Sequence, residues 1–171
     1  MTFRITGADS GGELLEVEFE LAAGGELFAT HVHPRSEERF EITSGRLVVS
    51  RAGQHVLLER GEHLSIPAGV AHTVRNPGPE RGIAIVAWRP AGRMGEVLEF
   101  LFRVRHEGRM VAGKPEPLRL AACVAAYPDE IYLARIPIGF QKLAAGLLAP
   151  AGRSLMRRDE RRSPGRQAGP R

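Results

Sequence analysis

This sequence has very few of the residues on which several classes of protein depend. Cys123 is the single cysteine among 171 residues, which excludes an internal disulfide and fits a reducing compartment. No apolar run approaches the roughly 18–20 residues that a membrane-spanning helix needs. The first residues, from Met1 to Thr6, include no apolar stretch with a small-residue cleavage site, so we predict no secretory signal. We therefore expect a cytoplasmic protein.

An excess of positive charge is absent from most of the chain. Residues 1–90 carry a net charge of −3, residues 91–150 carry +2, and residues 151–171 carry +5. The basic character therefore belongs to the tail and is not spread over a folded face. A helix-turn-helix pattern is not evident either. We expect no nucleic-acid partner.

The first half of the chain has the period-two pattern of β-strands. Apolar residues and glutamates alternate through residues 14–21, as in a strand with one buried face and one solvated face. Residues 46–51 and 54–59 read as two strands joined at a glycine turn. Residues 83–88 are almost wholly apolar, which predicts a strand buried on both faces.

The most informative histidines lie in the stretch from residue 25 to residue 45. A strand through residues 27–33 would place His31 and His33 on the same face, because side chains alternate along a strand. Carboxylates follow at Glu37 and Glu38, and His72 begins a strand after a proline–glycine turn. Imidazoles and a carboxylate together suit a first-row transition metal. The alternative is a buried hydrogen-bonded cluster without a metal.

These stretches resemble the two motifs of the cupin family. The first motif, G-x5-H-x-H-x4-E-x6-G, is filled by Gly25, His31, His33, Glu38 and Gly45. The second motif, G-x5-P-x-G-x2-H-x3-N, is filled by Gly61, Pro67, Gly69, His72 and Asn76. The resemblance covers about half of the chain. It implies a mainly β fold, a double-stranded β-helix or jelly-roll barrel, followed here by C-terminal α-helices.

The resemblance also implies a metal held inside the barrel by His31, His33, Glu38 and His72. The motif spacing to the following glycine favours Glu38 over Glu37. We expect a divalent ion of Fe, Mn, Ni, Zn, Co or Cu, since Ca²⁺ and Mg²⁺ prefer all-oxygen sites. His55 is predicted to be exposed, and His63 either to be exposed or to line the pocket.

The C-terminal part changes to a helical period after Gly92. Helices are predicted at residues 96–105, 115–126 and 137–148. The first has one stripe formed by Val97, Leu98, Leu101, Phe102 and Arg105. The third has one apolar face formed by Phe140, Leu143, Ala144, Leu147 and Leu148. We divide the chain into a barrel at residues 1–92, a helical extension packed on it at 93–150, and a basic disordered tail at 151–171.

These helices have three possible roles. They could cover the apolar outer face around Phe28 and Val32, form a dimer interface, or contact an anionic membrane together with the basic tail. Packing on the barrel is favoured, and peripheral membrane contact is the least favoured of the three. Cys123 is predicted to be a small buried residue and not a nucleophile. We also expect a homodimer.

The predicted interior is apolar and lacks tyrosine and lysine, so no general base is evident besides the cluster itself. This favours a metal-dependent dioxygenase on a small oxygen-bearing substrate over an isomerase or decarboxylase. The missing base equally suits the alternative, a cupin that binds a metal or a small molecule without turnover.

Overall fold

Two antiparallel sheets dominate the described part of this computed structural model, which comprises residues 1–148 and residue 154. The strands in chain order are β1 (Thr2–Ile5), β2 (Leu15–Leu21), β3 (His31–Val32), β4 (Glu37–Ser44), β5 (Arg46–Arg51), β6 (Gln54–Glu59), β7 (His63–Ile66), β8 (His72–Arg75), β9 (Gly82–Arg89), β10 (Met110–Val111), β11 (Lys114–Pro115) and β12 (Tyr132–Leu133). One sheet has the order β1-β2-β9-β4-β7 and the other β12-β3-β8-β5-β6, while β10 and β11 pair separately. The predicted mainly β, jelly-roll architecture is confirmed.

Strand β2 illustrates how the alternating pattern builds the core. Leu15, Val17, Phe19 and Leu21 are all buried. The glutamates between them lie on the other face, where they are half-buried or exposed. Burying one side chain of this size stabilises a fold by roughly 1.5–3 kcal/mol, so one face of a single strand is a substantial contribution.

Strand β9 corrects one prediction from the sequence. The strand lies in the centre of its sheet, between β2 and β4, but only alternate residues are fully buried. Ala84, Val86 and Trp88 face the core, whereas Ile83 and Ile85 are half-buried on the outer face. On that outer face the register partners of Ile85 are two charged residues, Glu18 of β2 and Glu41 of β4. Long side chains shield such positions partly.

The predicted strand through residues 27–33 is also wrong in part. Only His31–Val32 forms a strand, and residues 28–30 bend. The Leu27 amide still donates to the Val74 carbonyl of β8 at 3.2 Å, but the backbone of Ala29 and Thr30 hydrogen-bonds to the C-terminal part of the chain. The Ala29 amide donates to the Gly113 carbonyl at 2.9 Å. Arg105 donates to the Leu27 carbonyl at 2.6 Å.

Helix α1 (Met94–His106) packs into the same core as the barrel strands, and helix α2 (Pro117–Ala126) follows it. The ring of Phe102 stacks on Phe19 and meets Phe28 edge-on, with centroids 5.7 and 5.9 Å apart. Phe28 therefore receives the cover that its apolar character requires. Arg105, predicted in the apolar stripe, is exposed instead, because its guanidinium reaches backbone carbonyls at the bend.

The second sheet gains a strand from the C-terminal part. Strand β12 pairs antiparallel with β3, placing Tyr132 opposite Val32 and Leu133 opposite His31. The extension therefore contributes a strand to one of the barrel sheets in addition to its helices. The division of the chain at residue 92 stays a prediction.

The last described helical segment, at residues 138–148, orients differently from the prediction. Gln141 and Ala145 face the protein, whereas Phe140, Leu143 and Leu147 point outward and are exposed. The hydrogen bonds of Gln141 fix this orientation, and apolar periodicity could not reveal them. Among the described residues, no helix is long and apolar enough to cross a membrane. The predicted disordered tail lies outside the described residues, apart from residue 154.

Candidate metal centre

The four predicted metal ligands come together inside the barrel. His31 lies on β3 and pairs in register with His72 on β8, His33 follows β3 directly, and Glu38 reaches in from β4 of the other sheet. One potential ligand atom from each lies within 4.8 Å of all the others. Two ligands on opposite sides of an ion at about 2.1 Å are about 4.2 Å apart, so the cluster has the dimensions of a metal site. All four side chains are at least 94% buried, since the most exposed, His31, has a relative exposure of 6%.

Each imidazole is held in a defined tautomer by a backbone carbonyl. The three pairs are His31 Nδ1 with Ala29 O at 2.9 Å, His33 Nδ1 with Glu130 O at 2.8 Å, and His72 Nδ1 with Val70 O at 2.8 Å. A carbonyl oxygen only accepts, so the hydrogen is on Nδ1 in every case. In the neutral form of each ring, Nε2 therefore carries the lone pair that can coordinate a metal. Metal-binding histidines are typically oriented by such bonds.

The donor set fits a cation. Glu38 Oε2 lies 3.4 Å from His33 Nε2 and within hydrogen-bonding contact of His72 Nε2. A carboxylate and neutral Nε2 atoms are all acceptors, and buried acceptors in contact need a proton or a metal ion between them. Three nitrogen donors and one carboxylate suit a first-row transition metal better than Ca²⁺ or Mg²⁺. The arrangement can hold such an ion, and its identity is not fixed by geometry.

The electrostatics of the cluster favour an ionised Glu38 and a neutral His31, as metals require, but also a protonated His72, from which a bound metal would displace the proton. Burial alone would raise the pKa of Glu38, but the hydrogen bonds from His33 and His72 outweigh it and lower that pKa below its usual range. Burial, followed by the charges of His72 and His33, lowers the pKa of His31 to about 3. Burial would lower the pKa of His72, but contact with the Glu38 carboxylate raises it overall. At neutral pH Glu38 is thus ionised and His31 neutral.

The other candidates from the sequence lie outside the cluster. Glu37 is exposed, which agrees with the motif spacing that selected Glu38. His55 is exposed, as predicted, and hydrogen-bonds to Ser50 at 2.6 Å. His63 is exposed as well, so it does not line the interior. Cys123 is buried, and burial raises the pKa of its thiol to about 12, so it is not a ready nucleophile.

Sequence reasoning missed two neighbours of the cluster. The indole Nε1 of Trp88 lies 3.4 Å from His33 Nε2, with the rings edge-on. Strand parity could have found it, because Trp88 is the register partner of Glu38 across β4 and β9. The Glu130 carbonyl that holds His33 is 97 residues away in sequence, and no local pattern indicates that contact.

The cluster borders a small cavity between the barrel and the extension. The cavity has a volume of about 30 Å³ and His31, Phe28, Lys114 and Tyr132 on its wall. The sequence predicts a barrel interior without tyrosine and lysine; the wall of this cavity, outside that interior, has one of each from the extension. The Tyr132 hydroxyl, however, donates to Asp129 at 3.3 Å. A volume of this size holds about one water molecule.

Comparison with known proteins identifies the barrel. A protein-family model, Cupin_2, described as the cupin domain, matches residues 17–88. The chain contains a cupin domain. The matched range includes all four residues of the cluster and both motifs in full.

Sequence relatives and solved structures resemble this cupin domain over part of their length. Quercetin 2,3-dioxygenase of Bacillus subtilis (strain 168) is 33% identical over 66 residues, which is 39% of this chain and 20% of that protein. The tetracenomycin polyketide synthase protein TcmJ of Streptomyces glaucescens is 39% identical over 56 residues, 33% of this chain and 38% of that protein. The matched segments thus span well under half of either relative. An RmlC-like cupin from Shewanella frigidimarina NCIMB 400 superposes with a TM-score of 0.43 at 28% identity, over 47% of this chain and 68% of that one.

The remaining residues of the cupin motifs shape the turns that carry the ligands. Gly45 has a φ of +68°, and a Cβ there would lie 2.5 Å from the Arg81 carbonyl oxygen. The buried amide of Asn76 donates to the carbonyls of Leu21 and Glu80 at 3.0 and 2.6 Å. Its oxygen accepts from the Gly78 amide at 2.9 Å, which closes the turn after β8. Gly45 and Asn76 thus fix strand ends, whereas the amide of Gly69 donates to the carbonyl of His33 at 2.8 Å.

Proposed function

We propose that this cupin domain binds a divalent first-row transition metal and acts as an oxygenase-type enzyme on a small oxygen-bearing molecule. The single observation that carries the proposal is the buried set of three Nε2 donors and one carboxylate, with every Nδ1 hydrogen directed to a carbonyl. Buried acceptors in this arrangement serve cation binding. The metal itself is Fe, Mn, Ni, Zn, Co or Cu.

The chain's own residues would contribute binding, orientation and exclusion of water. His31, His33, Glu38 and His72 would hold the ion, and their summed charge of −1 would leave a divalent centre net positive. Such a centre favours an anionic or enolisable oxygen on the substrate. When bound, a metal of this group supplies Lewis acidity and, for redox-active ions, a site for O₂ chemistry.

The surroundings favour oxygenase chemistry over proton-transfer chemistry. Phe40, Ile42 and Val74 are buried apolar residues of the barrel core, and Phe40 meets His72 edge-on. An apolar interior excludes water, which protects reactive oxygen chemistry, whereas isomerases and decarboxylases need positioned acids and bases. The partial similarity to a relative named quercetin 2,3-dioxygenase supports the same class of reaction.

A second function, binding without turnover, is favoured by the small cavity. The space of about 30 Å³ beside His31 holds a molecule the size of water or O₂ and is small for a phenolic substrate. On this alternative the domain would bind a metal, or a small ligand at a metal, as its whole activity. A larger substrate would require the extension to move away from the barrel.

Oxygen consumption distinguishes the two functions. The purified protein would be stripped with a chelator, reloaded anaerobically with one metal at a time, and offered phenols and diketones in an oxygen electrode. An oxygenase consumes O₂ only with both metal and substrate, and His33→Ala abolishes this while the exposed control His55→Ala retains it. Tight binding of a compound with no O₂ uptake for any metal would establish the second function. Failure to retain any metal would contradict both.

A further inference from the structure

The helical segment at residues 138–148 presents an apolar stripe to the outside. Phe140, Leu143 and Leu147 are 64, 63 and 75% exposed, more than any other large apolar side chain among the described residues. Their spacing of three and four residues places them on one side of the helix. We call these three residues the outer stripe. Contiguous exposed apolar side chains mark an interaction site more often than scattered ones do.

The opposite face of the same helix is anchored, so the outer stripe cannot turn inward. Gln141 is 6% exposed and Ala145 is 2% exposed. The Gln141 amide donates to the carbonyls of Leu133 and Ile136 at 2.9 and 2.7 Å, and its oxygen accepts from the Leu133 amide at 3.1 Å. Rotating the helix would break all three bonds. Among the residues that the structure describes, the stripe therefore has no cover.

The sequence around the outer stripe is basic and contains no acidic residue over a long stretch. Between Glu130 and Asp159 there is no aspartate or glutamate, whereas Arg135, Lys142 and three further arginines lie there. Lys142 forms an ion pair with Asp129 at 2.7 Å, so its charge is shared. The chain that follows is strongly basic, with a net charge of +5 over residues 151–171.

These charges favour one class of occupant. A second copy docked through the same stripe would bring two basic tails together, and like charges oppose such an association. A surface of anionic lipid matches both features, because apolar side chains enter the acyl boundary and arginines attract the phosphates. Neither signal alone binds stably, but the combination does.

We propose that residues 138–148 form a peripheral membrane-binding helix for anionic phospholipid surfaces, with the outer stripe inserted and the lipid attracted by Arg135 and by the basic charge of the sequence that follows the helix. This function is independent of the chemistry of the metal centre. The helix lies on the extension and contacts the barrel through strand β12, so the membrane would lie on the extension side of the molecule.

Vesicle co-sedimentation of the full-length protein tests the proposal. Vesicles of phosphatidylcholine alone would be compared with vesicles that also contain phosphatidylglycerol, at low and high salt. We expect binding only to the anionic vesicles, weakened by salt because exposed charges are screened. Replacing the stripe by Phe140→Gln, Leu143→Gln and Leu147→Gln should weaken binding by about tenfold or more. The matched control is Leu57→Gln, since Leu57 is also an exposed leucine, on β6 and away from the helix.

Three results would overturn the proposal. The first is absence of wild-type binding to the anionic vesicles. The second is binding that the stripe substitutions leave unchanged, since charge alone would then account for it. The third is a dimer in sedimentation equilibrium that the same substitutions convert to a monomer, which would assign the stripe to a second copy. Thermal unfolding of each variant, and the single substitution Leu143→Gln, separate loss of binding from loss of fold.

Discussion

The pair Glu38 and Glu37 offers a sharp test of the metal centre. The two glutamates are adjacent on β4, yet Glu38 is 2% exposed and contacts two imidazoles, while Glu37 is exposed. Glutamine has the size of glutamate but no charge. Glu38→Gln therefore removes the one anionic donor with little change of volume, and Glu37→Gln makes the same chemical change outside the barrel.

The magnitude follows from the coupling between binding and folding. Metal at a hundred times its Kd stabilises the folded state by about 2.7 kcal/mol. In a chain of 171 residues, each kcal/mol raises Tm by about 2–4 °C, so the wild type should gain about 5–11 °C. If Glu38→Gln weakens binding tenfold, the gain falls to about 1.4 kcal/mol, or about 3–6 °C.

Scanning calorimetry with and without metal measures this difference. Each variant is compared with its own metal-free form, so that a change in the intrinsic stability of the protein cancels. Elemental analysis after dialysis gives an independent measure of metal per chain. Glu37→Gln should match the wild type in both. Equal metal-induced gains in Tm for the two variants would show that the Glu38 carboxylate is not a ligand, and the assignment of the cluster would fail.

Three further predictions concern the surroundings of the cluster. Burial raises the pKa of the Cys123 thiol from 9.0 to about 12. The contribution of the neutral thiol to stability is therefore complete below pH 9 and is lost as the pH rises towards 12. The free energy of unfolding measured at a series of pH values should show this decline, and Cys123→Ala should remove it. Trp88, the single tryptophan, lies against a cluster imidazole, so Cu²⁺ or Co²⁺ should quench its fluorescence while Zn²⁺ does not. Glu38→Gln should move the midpoint of quenching to about tenfold higher metal concentration, and an unchanged midpoint would contradict the location. Gln141→Leu should lower the free energy of unfolding by about 2–4 kcal/mol in urea, because buried backbone groups lose their partners, and the exposed change Phe140→Gln should have little effect.

The features that the sequence predicted correctly depend on local patterns. Strand β2 follows from alternation, and the strands at Arg46–Arg51 and Gln54–Glu59 follow from their flanking turns. The spacing to Gly45 favours Glu38 over Glu37, and the structure buries Glu38 and exposes Glu37, as adjacent residues of a strand face opposite ways. Such patterns act over a few residues, and the structure preserves them.

The features that could not be predicted depend on contacts between distant parts of the chain. Residues 28–30 bend where the Ala29 amide donates to the Gly113 carbonyl and the Thr30 carbonyl accepts from the Ala134 amide, both distant in sequence. The orientation of the last helix depends on the hydrogen bonds of Gln141, a polar residue that apolar periodicity ignores. Strand β12 has only two residues, which are too few to give a periodic signal. Its pairing with β3 is a tertiary contact that no local pattern indicates.

That pairing makes the extension part of the candidate site. Leu133 lies opposite His31 in the sheet, and the Glu130 carbonyl hydrogen-bonds to His33. Gln141 in turn hydrogen-bonds to the backbone of Leu133, three residues after Glu130. If the extension only covered the barrel, Gln141→Leu would destabilise the protein and leave its affinity for metal unchanged. If the Glu130 carbonyl orients His33, the same substitution should also weaken metal binding, by about the 10–100-fold that loss of an outer hydrogen-bond partner costs. Metal titration of the folded variant, well below its unfolding temperature, separates these outcomes, because stability and affinity are then measured independently.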